Sequence, residues 1–588
     1  MDNRFSNLKG QNSGEGGSMM PNGDGSEGDD DDEEEEDGVD EGDGEVEGLI
    51  DIQGTPGRMS ASAEDEEEAA VDTPDVHGVG MKIQRAEEAY KAYAGFEDKP
   101  TKGEVFGWCL YDLCSYFIHT VLIPIVFPLI ISQIMSMPQE PAQGWKTSYK
   151  GLPCRQKEMQ LYEGLTHRSI KVGNMNFSPL EWTSISWVSG IILAAPILAT
   201  ISIHLDNGQH QLIAAAAIAA GALFCLPAGF FRTTRIFPPY IAAIVVANAI
   251  GTASHARHFG LMVRGFIGST IRKNQFPDRR AVGGWLSLYA TAAGCLGSAI
   301  ISAFTYHMLR QSEEFISLWV VSIFSGLKWL VGIVHVFASN RLADNPSSSS
   351  NSIPKSDVIS IFKYPHAAGS LAGVFLSSFA TMCIFTGGVL YLVGQLCIKP
   401  VNLLYLWLTY FIFPLFSLPL IQPLQQLIRA DAVKMQLLGF LLSTLTSGVG
   451  FYYHDKNWHK HHLLFFTAVQ GTATGLLHAF GRVLFLDCSP AGKEGTFSVW
   501  FSWVRALGTL VGFAFASSGR GNISRSLGVA FCSAIVGIVI LIFGNISNFG
   551  GAKAAGHVRD DSEKGSPVHG LEDNRPMHME TPREKTEV

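Results

Sequence analysis

The chain has 588 residues, of which 47% are hydrophobic and 16% charged, and its formal net charge at pH 7 is −11. These averages hide a split, because residues 29–37 read DDDDEEEED while roughly twelve apolar stretches, each of about 20 residues, follow from about residue 106 to residue 548. Such a pattern excludes a soluble globular protein. The net charge also says little about the membrane part of the chain.

The acidic N-terminal region comes first. A block of like charge among Gly and Ser cannot bury enough apolar area to fold. We therefore predict disordered tails at residues 1–80 and 549–588, and an amphipathic juxtamembrane segment at residues 81–105. A solvated tail is favoured for the acidic run, and binding of a partner protein is the alternative.

The apolar stretches are predicted to be transmembrane helices, because lipid offers no partner for an unpaired backbone N–H or C=O group. The predicted spans are 106–134, 181–204, 210–231, 236–255, 281–304, 315–338, 367–396, 401–422, 433–453, 462–486, 495–517 and 526–547. They form an N-terminal half (106–338) and a C-terminal half (367–548), joined by a central loop (339–366) rich in Ser and Asn. Six spans, a polar linker and six spans are typical of a two-half transporter. We predict an all-α multi-pass membrane protein with both termini in the cytoplasm.

The orientation rests mainly on that architecture. The predicted cytoplasmic loop 256–280 is rich in Arg and Lys, as the positive-inside rule expects. The loop 135–180 on the other side also carries basic residues, so the charge bias is weak.

The cysteines have no metal-ligand spacing. Most of them, including Cys397, fall in predicted spans, and Cys154 lies in the loop after the first span. We expect small packing residues rather than a disulfide framework, and neither a metal nor a cofactor.

Polar residues inside the spans are the best guides to function, because lipid makes them expensive. In the first span, Asp112, Ser115, Tyr116 and His119 are spaced i, i+3, i+4 and i+7, which places them on one helix face. This face is a candidate site for a proton or a substrate ammonium group. The alternative is an interfacial carboxylate at Asp112.

Two cations lie within spans. Lys328 is near the middle of the sixth span, and a functional or ion-pair role is preferred for it. Arg505 shares a polar face of the eleventh span with Ser502, and its planar guanidinium matches a carboxylate. Arg505 is therefore the first candidate for binding an anionic group or for pairing with Asp112. A structural ion pair between helices is the alternative.

The tenth span carries Gln470, His478 and Arg482 in a slanting polar band, with Arg482 expected to be an anchor at the membrane edge. The cations of the spans outnumber Asp112. A cavity holding them would suit a carboxylate-bearing solute such as an amino acid.

Two segments carry a family resemblance. The first reads Gly107-Trp108-Cys-Leu-Tyr111-Asp112 and continues to Phe127-Pro128. The second reads Ser489-Pro-Ala-Gly492-Lys493-Glu494-Gly-Thr-Phe497. Together they resemble motifs of the vacuole effluxer, autophagy-related-22-like branch of the major facilitator superfamily. In the loop after the second span, Asp206 and Gly208 match the facilitator pattern, whereas its basic pair is absent.

The resemblance implies a major facilitator fold, alternating access, and efflux of amino acids across the vacuole membrane in autophagy-linked recycling. The expected partners are the bilayer and a small solute, alone or with a proton, and not nucleic acid. The sequence has no phosphate-binding loop, HExxH motif or nucleophile elbow, so no enzyme activity is expected. The alternatives are a facilitator for another organic anion, a location in the plasma membrane or another endomembrane, and a receptor or scaffold that acts through the acidic tail.

Overall fold

The protein is represented by a computed structural model that describes residues 99–135, 138–206, 209–227, 232–268, 270–311, 316–337, 358–456, 458–490, 493–518 and 522–559. The predicted tail 1–80, most of the juxtamembrane segment and most of the central loop lie outside these residues. The predicted tail 549–588 starts with ordered structure, because a helix at Asn548–Ala554 and a short strand at Val558–Arg559 precede residue 560.

In the described residues, eleven helices are long and apolar enough to cross a membrane, and one shorter apolar helix, His210–Cys225, accompanies them. We number these twelve helices as spans 1 to 12. Their bounds are Lys102–Ile134, Pro179–Asp206, His210–Cys225, Phe237–Ile267, Phe276–Gln311, Ile316–Val331 continued by Val334–Phe337, Pro365–Gly394, Pro400–Ile428, Ala432–Tyr452, Lys460–Asp487, Glu494–Ser518 and Ile523–Phe543. The prediction of an all-α multi-pass membrane protein is confirmed.

The predicted loop 256–280 is largely helical, which corrects the sequence assignment. Span 4 continues to Ile267, and span 5 already begins at Phe276. Arg257, Arg264 and Arg279 therefore lie in helices and are buried. They read as loop charges in the sequence because the carboxylates that neutralise them are distant in the chain.

Span 1 is irregular. Helix Lys102–Ser115 begins at Thr101, whose side chain caps the backbone N–H of Glu104, and a π-helical segment, Ile118–Val126, interrupts the span before helix Phe127–Ile134. Pro124, which has no backbone N–H, lies in that segment. Wide π turns are frequent at functional sites, and this one contains His119.

The two sets of six spans pair in the same pattern. Span 1 packs on spans 5 and 6, span 2 on span 4, and span 3 on spans 4 and 6; adding six to each number gives the pairs of spans 7–12. Between the sets, span 2 packs on span 11 and span 5 packs on span 8. Replacing each span by its counterpart in the other set converts one of these contacts into the other. The first half (spans 1–6) and the second half (spans 7–12) are thus related by an approximate two-fold axis, as in repeat-built transporters.

The bundle has two ends. The terminal face holds the start of span 1 and the end of span 12. There, strand β3 (Ile271–Arg272) pairs in parallel with strand β4 (Val558–Arg559).

The opposite end, the disulfide face, holds helix Gln156–Thr166 and a hairpin of β1 (Ile170–Val172) and β2 (Met175–Phe177). A disulfide joins Cys154 in this region to Cys397. Cys397 was assigned to a span and to packing in the sequence, but it lies in the turn after span 7, with a φ of 47°.

Candidate functional site

A buried ion pair joins the two halves. Arg482 of span 10 donates to Asp112 Oδ2 of span 1 through Nη1 at 3.0 Å and Nη2 at 2.9 Å. His255 Nε2 of span 4 lies 3.1 Å from the other carboxylate oxygen. Asp112, Arg482 and His255 are all buried. Arg482 is therefore not a membrane-edge anchor, and it, rather than Arg505, is the partner of Asp112.

Aromatic rings surround this pair. Trp108 stacks on His255 with ring centroids 4.5 Å apart, and its indole Nε1 donates to the backbone oxygen of His255 at 3.3 Å. Tyr111 also stacks on His255, at 4.2 Å. The Arg482 guanidinium lies 5.2 Å from the Trp108 ring, a distance at which a cation–π interaction offsets part of the cost of burying the charge. The resemblance residues Trp108, Tyr111 and Asp112 thus build one local structure.

Arg505 lies beyond this pair. Its Nη2 donates to His119 Nε2 at 2.6 Å, and its guanidinium lies 6.0 Å from the Tyr116 ring. In the described part of the chain, Arg505 has no ion pair with a carboxylate. A half-buried guanidinium that contacts a histidine keeps donors that can bind an anionic group.

Arg505 and His119 line a central cavity of about 50 Å³ between the halves. Its polar lining comes from spans 1, 7, 8, 10 and 11: Tyr116, His119, Thr120, Ser377, Ser378, Thr381, Tyr410, Thr474, His478, Arg505 and Thr509. The same arginine and histidine line two smaller cavities of about 10 and 20 Å³, one beside Asp112 and one beside Ser502. This volume suits water, so an organic solute needs the cavity to widen.

The predicted site residues do not all converge. Tyr116, His119, His478 and Arg505 line the central cavity. Asp112 and Ser502 line the smaller neighbours, and the Ser502 hydroxyl donates to Ala249 O at 2.6 Å.

Gln470 and Lys328 lie elsewhere. Gln470 lines a separate, mainly apolar cavity of about 150 Å³ in the second half, where its amide accepts from the Thr446 hydroxyl. Lys328 Nζ donates to Gly297 O at 2.6 Å and lies 4.8 Å from the Phe117 ring, on a different face of span 1 from Asp112. A lysine in this position stabilises the contact between spans 1, 5 and 6.

The end of span 2 meets the start of span 11 at the terminal face. Asp206 Oδ1 accepts from the backbone N–H of Gly495 at 2.6 Å, and Oδ2 accepts from the Thr496 hydroxyl at 3.0 Å. A carboxylate at a helix N-terminus accepts hydrogen bonds from the unpaired N–H groups of the helix and interacts favourably with the helix dipole. Asp206 therefore caps a helix of the other half.

Ion pairs extend this closure. Glu494 lies 2.5 Å from Arg264 Nη1 and 3.5 Å from Arg257 Nη1, both from span 4. Two further pairs cross between the halves, Arg279–Asp487 at 2.8 Å and Arg280–Asp431 at 2.5 Å. We call these four pairs and the Asp206 cap the terminal latch. The latch closes the terminal face.

The other resemblance residues have supporting positions. Gly107, Pro128 and Phe497 are buried, and Lys493 is exposed. Gly208 and Gly492 lie outside the described residues. Next to the latch, His557 Nε2 donates to Ser489 O at 2.9 Å, and burial, together with Arg279 and Arg264, holds the pKa of His557 well below its usual range.

The disulfide face carries a cleft. Lys150 Nζ donates to Tyr391 Oη at 3.0 Å and to His454 O at 2.7 Å, beside a cleft of about 710 Å³. The cleft is lined by residues at the ends of spans 7, 9 and 12 of the second half, together with Lys150.

The sequence analysis missed the histidines next to Asp112. His255 and His258 were placed at the end of span 4 or in the loop after it, and His335 was placed on the same polar face of span 6 as Lys328, with no link to Asp112. The i, i+3 spacing of His255 and His258 was the available signal, and it becomes informative only once span 4 is known to continue past residue 255.

No protein-family model matches the chain. No curated protein matches it in sequence. Among solved structures, a bacterial homologue of the iron transporter ferroportin in an outward-facing state is similar, with 11% identity, a TM-score of 0.48, and coverage of 76% of this chain and 99% of that chain. The fold and the site themselves define a multi-pass α-helical membrane protein with a polar, charged cavity between two similar halves.

Proposed function

We propose that this protein is a secondary transporter of the major facilitator kind, not an enzyme, and that its cargo is a small carboxylate-bearing solute, an amino acid in particular. One observation carries the proposal. Arg505 is a cation within the membrane, it lines a polar cavity between the halves, and it pairs with a histidine rather than a carboxylate. A solute carboxylate would supply the missing anion.

The geometry suggests how a solute would cross. The terminal latch holds one end closed, so the solute would enter from the disulfide face. Carboxylate binding at Arg505 would draw Tyr116 and His478 around the solute, and rocking of the halves would break the latch. The solute would then leave at the terminal face.

The disulfide suggests the orientation. Disulfides persist on the oxidising side of a membrane, so the Cys154–Cys397 end would face a lumen or the exterior and the terminal face the cytoplasm. We propose the vacuole membrane and efflux into the cytoplasm, as the resemblance implies.

Reconstitution into liposomes tests the function. The purified protein is assayed for uptake of a panel of labelled amino acids and of other organic anions, with and without a pH gradient. We expect saturable uptake of at least one amino acid, lost in Arg505→Gln and retained in Arg235→Gln, which changes an exposed arginine at the disulfide face. Absence of flux for every solute in both conditions would overturn the proposal, and flux of a different anion only would reassign the cargo.

A further inference from the structure

We propose that the first half contains a proton path from the terminal face to Asp112, and that this path makes transport proton-coupled. Its members, the histidine path, are Glu104, His258, His335 and His255. The inference rests on the proposed transport function and adds the coupling ion and its route.

The contacts run without a gap from one member to the next. Glu104 Oε1 lies 2.8 Å from His258 Nε2. The His258 and His335 rings are 4.8 Å apart between centroids, and the His335 and His255 rings 5.7 Å. His255 Nε2 then lies 3.1 Å from Asp112 Oδ1. The two outer steps are within hydrogen-bond reach, and the two histidine–histidine steps are ring contacts that a bridging water would span.

Burying four ionisable side chains costs free energy, so their arrangement indicates a function. The exposed fraction is 4% for Glu104, 0% for His258, 1% for His335 and 4% for His255. Three separate spans contribute these groups: span 1, span 4 and span 6. Ionisable residues gathered inside a membrane bundle are typical of proton relays in pumps and transporters.

Unpartnered nitrogens mark the middle of the path. Both ring nitrogens of His335 and Nδ1 of His255 are buried and have no hydrogen-bond partner in the described protein. Buried polar atoms nearly always have a partner, so these nitrogens are positions where water would complete the path. An imidazole takes a proton at one nitrogen and releases one from the other, which is the chemistry a relay needs.

Other titratable and charged groups pack against the histidine path. His210 of span 3 contacts the His258 ring at 5.3 Å, and Tyr111 of span 1 contacts both His255 and His335. From span 10, Arg482 Nη1 lies 3.4 Å from His255 Nε2, and His478 contacts Arg482. Glu104 and Asp112 are the carboxylates at the two ends. The guanidinium disfavours a second positive charge at His255 while the halves are closed.

Proton transfer would therefore be linked to opening. A proton from the terminal side protonates Glu104 or His258, passes to His335 and then to His255. The His255 imidazolium gives its Nε2 proton to Asp112 Oδ1, which leaves a neutral imidazole and a neutral carboxylic acid. A neutral Asp112 no longer holds Arg482, so one proton releases the ion pair between spans 1 and 10.

The test separates proton coupling from transport. Full-length protein in liposomes is given the amino acid identified by the uptake panel. Counterflow, with that amino acid on both sides and no pH gradient, reports solute exchange alone. Accumulation driven by a pH gradient, and acidification read by an internal dye, report the proton. We expect His335→Gln to keep counterflow within about twofold and to lower gradient-driven accumulation and proton flux at least about tenfold.

His366→Gln is the matched control, because His366 is a half-buried histidine at the terminal end of span 7, outside the path. It should behave like wild type in both assays. His258→Gln is the second variant if His335→Gln does not fold. Absence of counterflow in the wild type would refute the transport function itself. Counterflow without proton flux in the wild type, unchanged proton flux in both path variants, or equal loss of counterflow and proton flux in both, would overturn the path.

Discussion

Arg482 and Asp112, 370 residues apart in the chain, form a charge-assisted contact of 2.9 Å between the two halves of the bundle. Each residue alone would be a buried, uncompensated charge, and together they hold spans 1 and 10 in contact. The ion pair can therefore act as a switch between closed and open arrangements of the halves. Any event that neutralises one partner weakens the closed arrangement of the halves.

The first prediction concerns the stability of this pair. Arg482→Gln or Asp112→Asn alone should destabilise the protein by about 3–5 kcal/mol, because the remaining charge stays buried without its partner. The double variant should recover most of that loss. Thermal unfolding of the detergent-purified proteins, followed by size-exclusion chromatography, measures both, and the exposed-site control Arg235→Gln should stay within about 0.5 kcal/mol of wild type. Equal stability of the single and double variants would contradict the coupling.

The second prediction concerns the shape of the Arg505 guanidinium. Arg505→Lys keeps the charge but loses the planar pair of donors, so we expect the KM for the solute to rise about tenfold with a smaller change in kcat. Initial uptake rates over a range of solute concentrations give both constants. An unchanged KM would mean that Arg505 does not bind the solute.

The third prediction concerns the terminal latch. Glu494→Gln weakens the pairs with Arg264 and Arg257, so the terminal face should open more often. Spin labels at the exposed positions Lys273, between spans 4 and 5, and Lys363, just before span 7, should show a larger population of long distances in pulsed electron paramagnetic resonance. Asp455→Asn, which changes an exposed acid at the disulfide face, is the control and should leave the distribution unchanged.

The fourth prediction concerns the cysteines. The sequence has nine, and the structure leaves seven free, so Cys154 and Cys397 account for the difference. Alkylation of denatured protein without reductant should modify seven thiols, and alkylation after reduction nine. Cys154→Ser should free one further thiol, at Cys397. Nine modified thiols without reductant would exclude the disulfide.

The fifth prediction concerns close packing of spans 1 and 5. A Cβ at Gly297 would contact Leu113 O and lie 2.7 Å from Lys328 Nζ. Gly297→Ala should therefore destabilise the protein by about 1–3 kcal/mol. Gly388→Ala is the matched control in span 7, because a Cβ there would meet nothing within 4 Å. Equal melting temperatures for the two variants would contradict this packing.

The sequence was a good guide to the spans, since lipid imposes a length and an apolar composition on each helix. It was a poor guide where charge enters a helix. Arg257 and Arg264 look like loop residues until Glu494, more than 200 positions away, is seen beside them. For the same reason His255 was missed, whereas Asp112 was found, because a carboxylate in an otherwise apolar run stands out by itself.

The pairing between polar residues was harder to predict from the sequence. The face that carries Asp112 and His119 follows from helical periodicity. The choice of Arg482 rather than Arg505 as the partner of Asp112 depends on how spans 1, 10 and 11 are arranged, which no local pattern encodes. Lys328 was expected in the functional site because it is central in its span, yet its orientation directs it to a different face of span 1.

The Cys154–Cys397 bond connects the loop after span 1 to the turn after span 7, and so one half to the other. Helix Gln156–Thr166 packs on span 7 and also on spans 1 and 2, so this part of the first half's longest loop lies across the boundary between the halves. The covalent link then acts as a tether whose slack is the chain between residue 135 and Cys154. Its length limits how far the halves can part at the disulfide face, whereas the ion pairs and hydrogen bonds that close the terminal face can break and re-form.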